Sequence, residues 1–159
     1  MKRFEFTEDL LTGIADVDQD HRNLFEIGNK IISPKFIDAG EKTMEETLSF
    51  LDDYVIYHFA AEEYAMYNTG YPGLEKHTLR HKEFRELVSD YLSKVSKEGI
   101  SKEFILKLSF AVENWLLEHI RVADRGFAQY LKQQKIDQPQ LPSVQDLKQA
   151  GKLSADFNE

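Results

Sequence analysis

The strongest constraint on the fold is a helical period that runs through four successive segments, each carrying histidine inside its apolar row. The rows are Ile14, Val17, His21, Leu24, Gly28, Ile31; then Met44, Leu48, Leu51, Val55, His58, Glu62, Met66. They continue as Leu74, His77, His81, Phe84, Val88, Tyr91, Val95, and finally Phe104, Leu108, Val112, Trp115, His119, Val122. Steps of three and four place each row on one face of an α-helix, with charged residues opposite. Strand patterns are absent, and so is any repeat of solenoid type. The expectation is an all-α protein.

The punctuation divides the helices. Thr43 followed by Glu46 reads as a capping box opening the second helix. The run Asn68-Thr69-Gly70-Tyr71-Pro72-Gly73 is a turn, Glu98-Gly99 ends the third helix, and Ser101 caps the fourth. Ser33-Pro34 and Ala39-Gly40 mark a longer connection between the first two helices. Short links between the second, third and fourth favour antiparallel neighbours, hence an up-down-up-down four-helix bundle with a C-terminal extension. From about Lys132 the chain turns polar, with Pro139 and Pro142 as breakers and a short helix expected over Val144–Ala150. Two parts follow, a bundle over 1–131 and a tail over 132–159.

At 159 residues the chain suits a single core. A net charge of −8 argues against a nucleic-acid partner and against docking on an anionic membrane. With no cysteine, disulfides, thiolate-held zinc and cysteine-held iron–sulfur clusters are excluded. The start Met1-Lys2-Arg3-Phe4-Glu5 lacks the apolar core of a signal peptide, and no apolar run is long enough to span a bilayer. The expected location is cytoplasmic.

All five histidines lie on the apolar rows. One histidine on such a face is more often a hydrogen-bonded core residue than a ligand, and Glu62 beside Glu63 is more often half of a solvated acidic pair. Burying five imidazoles with Glu62 and Asp124 in one small core without a cation is another matter, since each unpaired group would cost roughly several kcal/mol. His58-x-x-x-Glu62 and His77-x-x-x-His81 put both members on one helix face. Seven potential ligands suffice for two metal ions. His77-Thr78-Leu79-Arg80-His81 lacks the glutamate of a zinc peptidase, and the Glu-x-x-His pair of carboxylate-rich di-iron bundles is absent. Ligand type alone leaves iron, copper, zinc and nickel open. The step of five from His119 to Asp124 overshoots a full turn by about 140° on a regular helix, so both point inward only through a π-type turn or a break.

The set resembles the hemerythrin family. Gly13-Ile14-Ala15-Asp16-Val17-Asp18-Gln19-Asp20-His21 and Trp115-Leu116-Leu117-Glu118-His119-Ile120 carry the resemblance together with the ligand spacing, over about residues 4–131. The resemblance implies two iron ions, cycling between Fe2+ and Fe3+ and bridged by an oxo or hydroxo group, with O₂ as the ligand. His77, His81 and His119 would fill the sphere of one iron, and His21 and His58 would leave the other with an open position. Glu62 and Asp124 would bridge both. Phe59, Trp115, Leu116 and Ile120 are expected to line the O₂ pocket, while Tyr54, Tyr57 and Tyr67 read as packing or surface residues. Phe4 and Phe6 stand where bacterial relatives commonly carry tryptophan.

The function expected is reversible O₂ binding for carriage, storage or delivery, not enzymatic turnover. The alternatives are a sensor of oxygen, iron or redox state reporting through the tail to a protein partner, and a di-iron peroxidase or oxidase. A chain that starts at Met1 with no attached signalling module favours carriage. Any protein partner, and the choice between monomer and homo-oligomer, stay open.

Overall fold

The computed structural model describes residues 4–38 and 41–154, apart from the side chains at 41, 44 and 96. The expected link residues Ala39–Gly40 and the row position of the Met44 side chain therefore lie outside the described residues, as do Met1–Arg3 and the last five positions of the tail. A single 3-10 turn, Glu8–Leu10, precedes α1 (Ala15–Ile31), the short α2 (Pro34–Ile37), α3 (Glu41–Asn68), α4 (Leu74–Glu98) and α5 (Lys102–His119). A π-helical turn, Ile120–Asp124, joins α5 to α6 (Arg125–Gln133), and α7 (Val144–Gln149) lies in the tail. No strand occurs among the described residues, and no described helix is long and apolar enough to cross a membrane.

The long helices close into a ring: α1 packs on α3, α3 on α4, α4 on α5, and α5 back on α1. This is the expected four-helix bundle with its C-terminal extension. Leu24, Phe25, Leu51, Val55, Phe84, Val88, Ile105 and Leu108 form the main core. A second buried cluster, Ile14, Val17, Ala65, Met66, Phe127 and Leu131, closes the other end. The histidines lie between the two.

Local chemistry fixes the ends. Asp18 is buried and holds the entry to α1, its carboxylate accepting from Thr12 N–H (2.8 Å), Thr12 Oγ1 (2.7 Å) and Gly13 N–H (3.0 Å). Gln138 from the tail accepts from Ala15 N–H at 3.0 Å, which satisfies a donor that the first turn of α1 leaves free. Ser101 caps α5 by accepting from Phe104 N–H, Gly99 ends α4 at φ 76°, and Gly70 turns the α3–α4 link at φ 68°. Ser101, Gly99 and Gly70 match the sequence reading.

Two expectations fail. Thr43 does not open the second helix: α3 starts at Glu41, the Thr43 carbonyl accepts from Thr47 Oγ1, and Glu46 faces Lys42 at 3.9 Å. The same four-residue pattern inside a helix makes side-chain pairs instead of a cap. A capping box does form at Ser143 and Asp146, at the start of α7. Val122, assigned to the fourth row, is 57% exposed. The π-turn shifts the phase there, so Asp124, Phe127 and Leu131 face inward in its place.

The tail packs on the bundle. Leu147 and Leu153 are buried against Ala61 of α3, with Ile56, Tyr57 and Tyr64 at the rim. Leu147→Ala should lower the unfolding free energy by about 2–4 kcal/mol, read as a lower urea midpoint with an unchanged slope.

Candidate metal centre

The seven row and turn residues meet at one level of the bundle. His21 comes from α1, His58 and Glu62 from α3, and His77 and His81 from α4; His119 and Asp124 stand at the two ends of the π-turn. None is more than 3% exposed. The expected π-type turn spans Ile120–Asp124 and brings the Asp124 carboxylate inward beside His119.

The two carboxylates divide the imidazoles into two sets. Asp124 presents Oδ1 to His77 Nε2 (3.1 Å) and His119 Nε2 (3.0 Å), and Oδ2 to His21 Nε2 (3.1 Å). Glu62 presents Oε2 to His81 Nε2 (3.3 Å) and His77 Nε2 (3.7 Å), and Oε1 to His58 Nε2 (3.5 Å). Each carboxylate thus lends one oxygen to the set His77, His81, His119 and the other to the set His21, His58. His81 Nε2 also faces His119 Nε2 at 3.1 Å.

These distances fit cations better than protons. Metal–nitrogen bonds of about 2.1 Å place neighbouring ligand atoms of an octahedron about 3.0 Å apart. Several of the facing atoms, including His21 Nε2, His77 Nε2, Glu62 Oε2 and both Asp124 oxygens, are buried without any hydrogen bond of acceptable geometry. Buried polar atoms are normally satisfied. A group of atoms aimed at one another and left unsatisfied is the signature of a cation site. Glu62, His77, His81, His119 and Asp124 form one set that could hold an ion, and His21, His58 and Glu62 a second.

Without a cation, protons take over that role. Burial works against charge on His58, but Glu62 and then Asp20 and Asp124 outweigh it and raise its pKa to about 9. Burial likewise opposes charge on His77, while Asp124 and Glu62 raise it to about 9. Burial and the nearby Asp124 push Glu62 up, yet His58, His77 and His81 hold it below the usual range. Asp124 is desolvated too, and His119, His21 and His77 hold it well below the usual carboxylate range. The site keeps both carboxylates ionised.

Sequence reasoning missed the groups that orient the rings. Asp20 Oδ2 meets His58 Nδ1 at 3.0 Å, and Glu63 Oε1 meets His81 Nδ1 at 2.8 Å. Tyr54, read as a packing or surface residue, donates its hydroxyl to Asp20 Oδ1 at 2.7 Å and accepts from Asn23 Nδ2 at 3.0 Å. Tyr67 is exposed, as expected. The available signal was that Asp20 adjoins His21 and Glu63 adjoins Glu62. In both cases a carboxylate adjoining a ligand in sequence reaches the Nδ1 of a histidine on the neighbouring helix, Asp20 of α1 to His58 of α3 and Glu63 of α3 to His81 of α4.

Aromatic rings close the site on one side. Phe59 stacks on His81 with centroids 3.7 Å apart and an interplanar angle of 3°, and Trp115 stacks on His119 at 4.3 Å and 13°. Leu116 is buried beside them and Ile120 is fully buried in the same core.

A family model described as "Hemerythrin HHE cation binding domain" matches residues 12–131, which include all seven converging side chains. The chain is 33% identical over 126 residues to the bacteriohemerythrin of Stenotrophomonas maltophilia, covering 79% of each chain. It is 31% identical over 128 residues to that of Clostridium acetobutylicum, covering 78% of this chain and 98% of the relative. Among solved structures, wild-type hemerythrin superimposes with a TM-score of 0.69 at 23% identity, covering 79% of this chain and 95% of that one. A hemerythrin point mutant superimposes with a TM-score of 0.71 at 22% identity, covering 81% and 97%. With cation-site geometry, bundle and sequence in agreement, the chain belongs to the hemerythrin family.

Proposed function

We propose that this chain binds O₂ reversibly at a non-haem di-iron centre, in carriage, storage or delivery of oxygen. In this reading His77, His81 and His119 would hold one iron and His21 and His58 the other, with Glu62 and Asp124 available to both sets. The observation that carries the reading is the division of each buried carboxylate between the two imidazole sets. A pair of iron ions so held would supply reversible two-electron exchange with O₂. The function resides in residues 1–131, with 132–159 as an extension.

The chain's own groups favour binding over turnover. Asp20 and Glu63 are each engaged by an imidazole, so neither stands as a free acid or base facing the site. Buried Phe59, Leu116 and Ile120, with half-buried Trp115 stacked on His119, give the centre an apolar wall that limits the access of water and of the protons that would drive release of reduced oxygen. Asp20 and Glu63 fix the ring orientation of His58 and His81 and raise the basicity of the nitrogens aimed at the centre.

The direct test is an optical spectrum of the protein reduced without oxygen, then exposed to air, then deoxygenated, with iron measured alongside. Two irons per chain, and charge-transfer bands that appear with O₂ and vanish on its removal, are expected. Bands that do not reverse would move the reading to a sensor or an oxidase, and absence of iron after anaerobic reconstitution would sink it. Asp20→Asn should weaken metal affinity by about tenfold or more, measured by competition with a chelator. A third expectation concerns pH. His58 and His77 have folded pKa values raised from 6.5 to about 9, so the stability they lend the metal-free protein is complete below 6.5 and lost as pH rises through 9. The melting temperature of the metal-free protein should fall across that window. The loaded protein, with metal where those protons sat, should show a much flatter profile.

A further inference from the structure

Between the entry to α1 and the rod that runs from the π-turn through α6 lies an open groove of about 840 Å³. Four cationic side chains line it, Arg121, Arg125, Lys132 and Lys135, against one carboxylate, Asp137. The chain as a whole has 28 acidic and 20 basic residues, so the groove reverses the sign of the molecule. It also presents apolar surface to solvent, with Val122 57% and Leu11 39% exposed.

Two local features hold these charges in place. Asp9, in the 3-10 turn, braces both arginines: its carboxylate accepts from Arg121 Nη2 at 2.9 Å and Nε at 3.1 Å, and its carbonyl accepts from Arg125 Nη1 at 3.1 Å. The carbonyl is neutral, so Arg125 keeps its full charge. Among the described residues, Arg125, Lys132 and Lys135 form no ion pair. Lys135 has a φ of 58°, alone among the described non-glycine residues in the left-handed region. It ends α6 at the position glycine normally takes, with Ile136 N–H donating to the Leu131 carbonyl at 2.9 Å. Lysine there carries backbone strain that glycine would avoid, and it sets a fourth cation on the rim of the groove.

Spacing and chemistry choose the occupant. Arg125 and Lys132 stand seven residues apart on one face of α6, about 10 Å along its axis. One inorganic anion cannot meet both, whereas carboxylates seven residues apart on a second helix can. Unpaired cations beside exposed aliphatic side chains suit an acidic amphipathic helix. They suit nucleic acid less, because a phosphate backbone offers no aliphatic row and meets net negative charge on the rest of the chain. We propose that this groove is the docking site for an acidic amphipathic helix of a partner protein, with Arg125 and Lys132 meeting its carboxylates and Val122 its apolar row. The partner thereby grips the π-turn that stands between His119 and Asp124. Nothing in this docking depends on which metal or gas the centre binds.

The probe is a synthetic peptide of about fifteen residues, designed as a helix with a leucine row flanked by glutamates and labelled for fluorescence anisotropy. It should bind the full-length, metal-loaded protein saturably, and more weakly as ionic strength rises from about 0.05 to 0.2 M. The paired reversal Arg125→Glu with Lys132→Glu should weaken binding by about tenfold or more. Lys132→Glu with Lys135→Glu, both farther along the chain from Asp124, should do the same in a variant whose metal content is unchanged. Val122→Ser, which leaves every charge in place, should weaken binding by about threefold. Lys82→Glu with Lys94→Glu makes the same change in net charge on α4, outside the groove, and should leave the affinity within about twofold. Absence of binding, equal binding of a peptide with glutamine in place of glutamate, or an equal loss in the α4 variant would overturn the docking site. A single-stranded oligonucleotide that displaces the peptide and binds the groove more tightly would overturn the acidic helix as its occupant.

Discussion

Removing a carboxylate from water costs several kcal/mol unless a cation or a set of donors meets it, and this bundle removes two at the same level. Glu62 and Asp124 are each 2% exposed and face each other's imidazole neighbours across the helix interfaces. Five imidazoles supply partial compensation, but several atoms remain unsatisfied. The packing of the four long helices therefore depends on what occupies the space between those atoms. Metal binding and folding are linked here, because the ligands come from every long helix and converge only in the native bundle.

Around that electrostatic demand the rest of the molecule is arranged in layers. Aromatic faces stack on His81 and His119, carboxylates hold the outer nitrogens of His58 and His81, and Tyr54 holds one of those carboxylates. Apolar clusters above and below exclude water. The entry to α1 is tied down twice, by Asp18 from within the helix and by Gln138 from the tail. His21 sits one turn beyond that clamp, so its placement depends on chain segments far apart in sequence.

The sequence shows periodic features well and contact-dependent ones poorly. The rows of α1, α3 and α4 agree with the burial of Val17, Leu24, Leu51, Val55, Phe84 and Val88, because period and burial are the same fact seen twice. The π-turn was legible because His119 and Asp124 cannot share a face without it. Val122 was misassigned for the same reason: a row extended in steps of three and four ignores the extra residue. Asp20, Glu63 and Tyr54 carry no periodic signal, since each reaches a ring through a side chain whose direction the sequence does not display. The close approach of Phe4 to Gly28 was invisible in the same way: Gly28 reads as one more small residue on an apolar row. The docking of Leu147 and Leu153 on Ala61 joins residues more than eighty positions apart, and the polar tail composition concealed it.

The π-turn also determines how this chain tolerates length changes. From Lys102 to Gln133 the backbone runs as one helical rod, with the extra residue of Ile120–Asp124 set into it. Deleting one residue there would return the rod to a regular helix and rotate everything downstream by about 100°. Asp124 would swing away from the imidazoles in the same motion that takes Phe127 and Leu131 out of the second core cluster. A surface loop absorbs insertions and deletions cheaply; this segment has no such freedom, because a single register sets both the chemistry of the centre and the closure of the bundle's end.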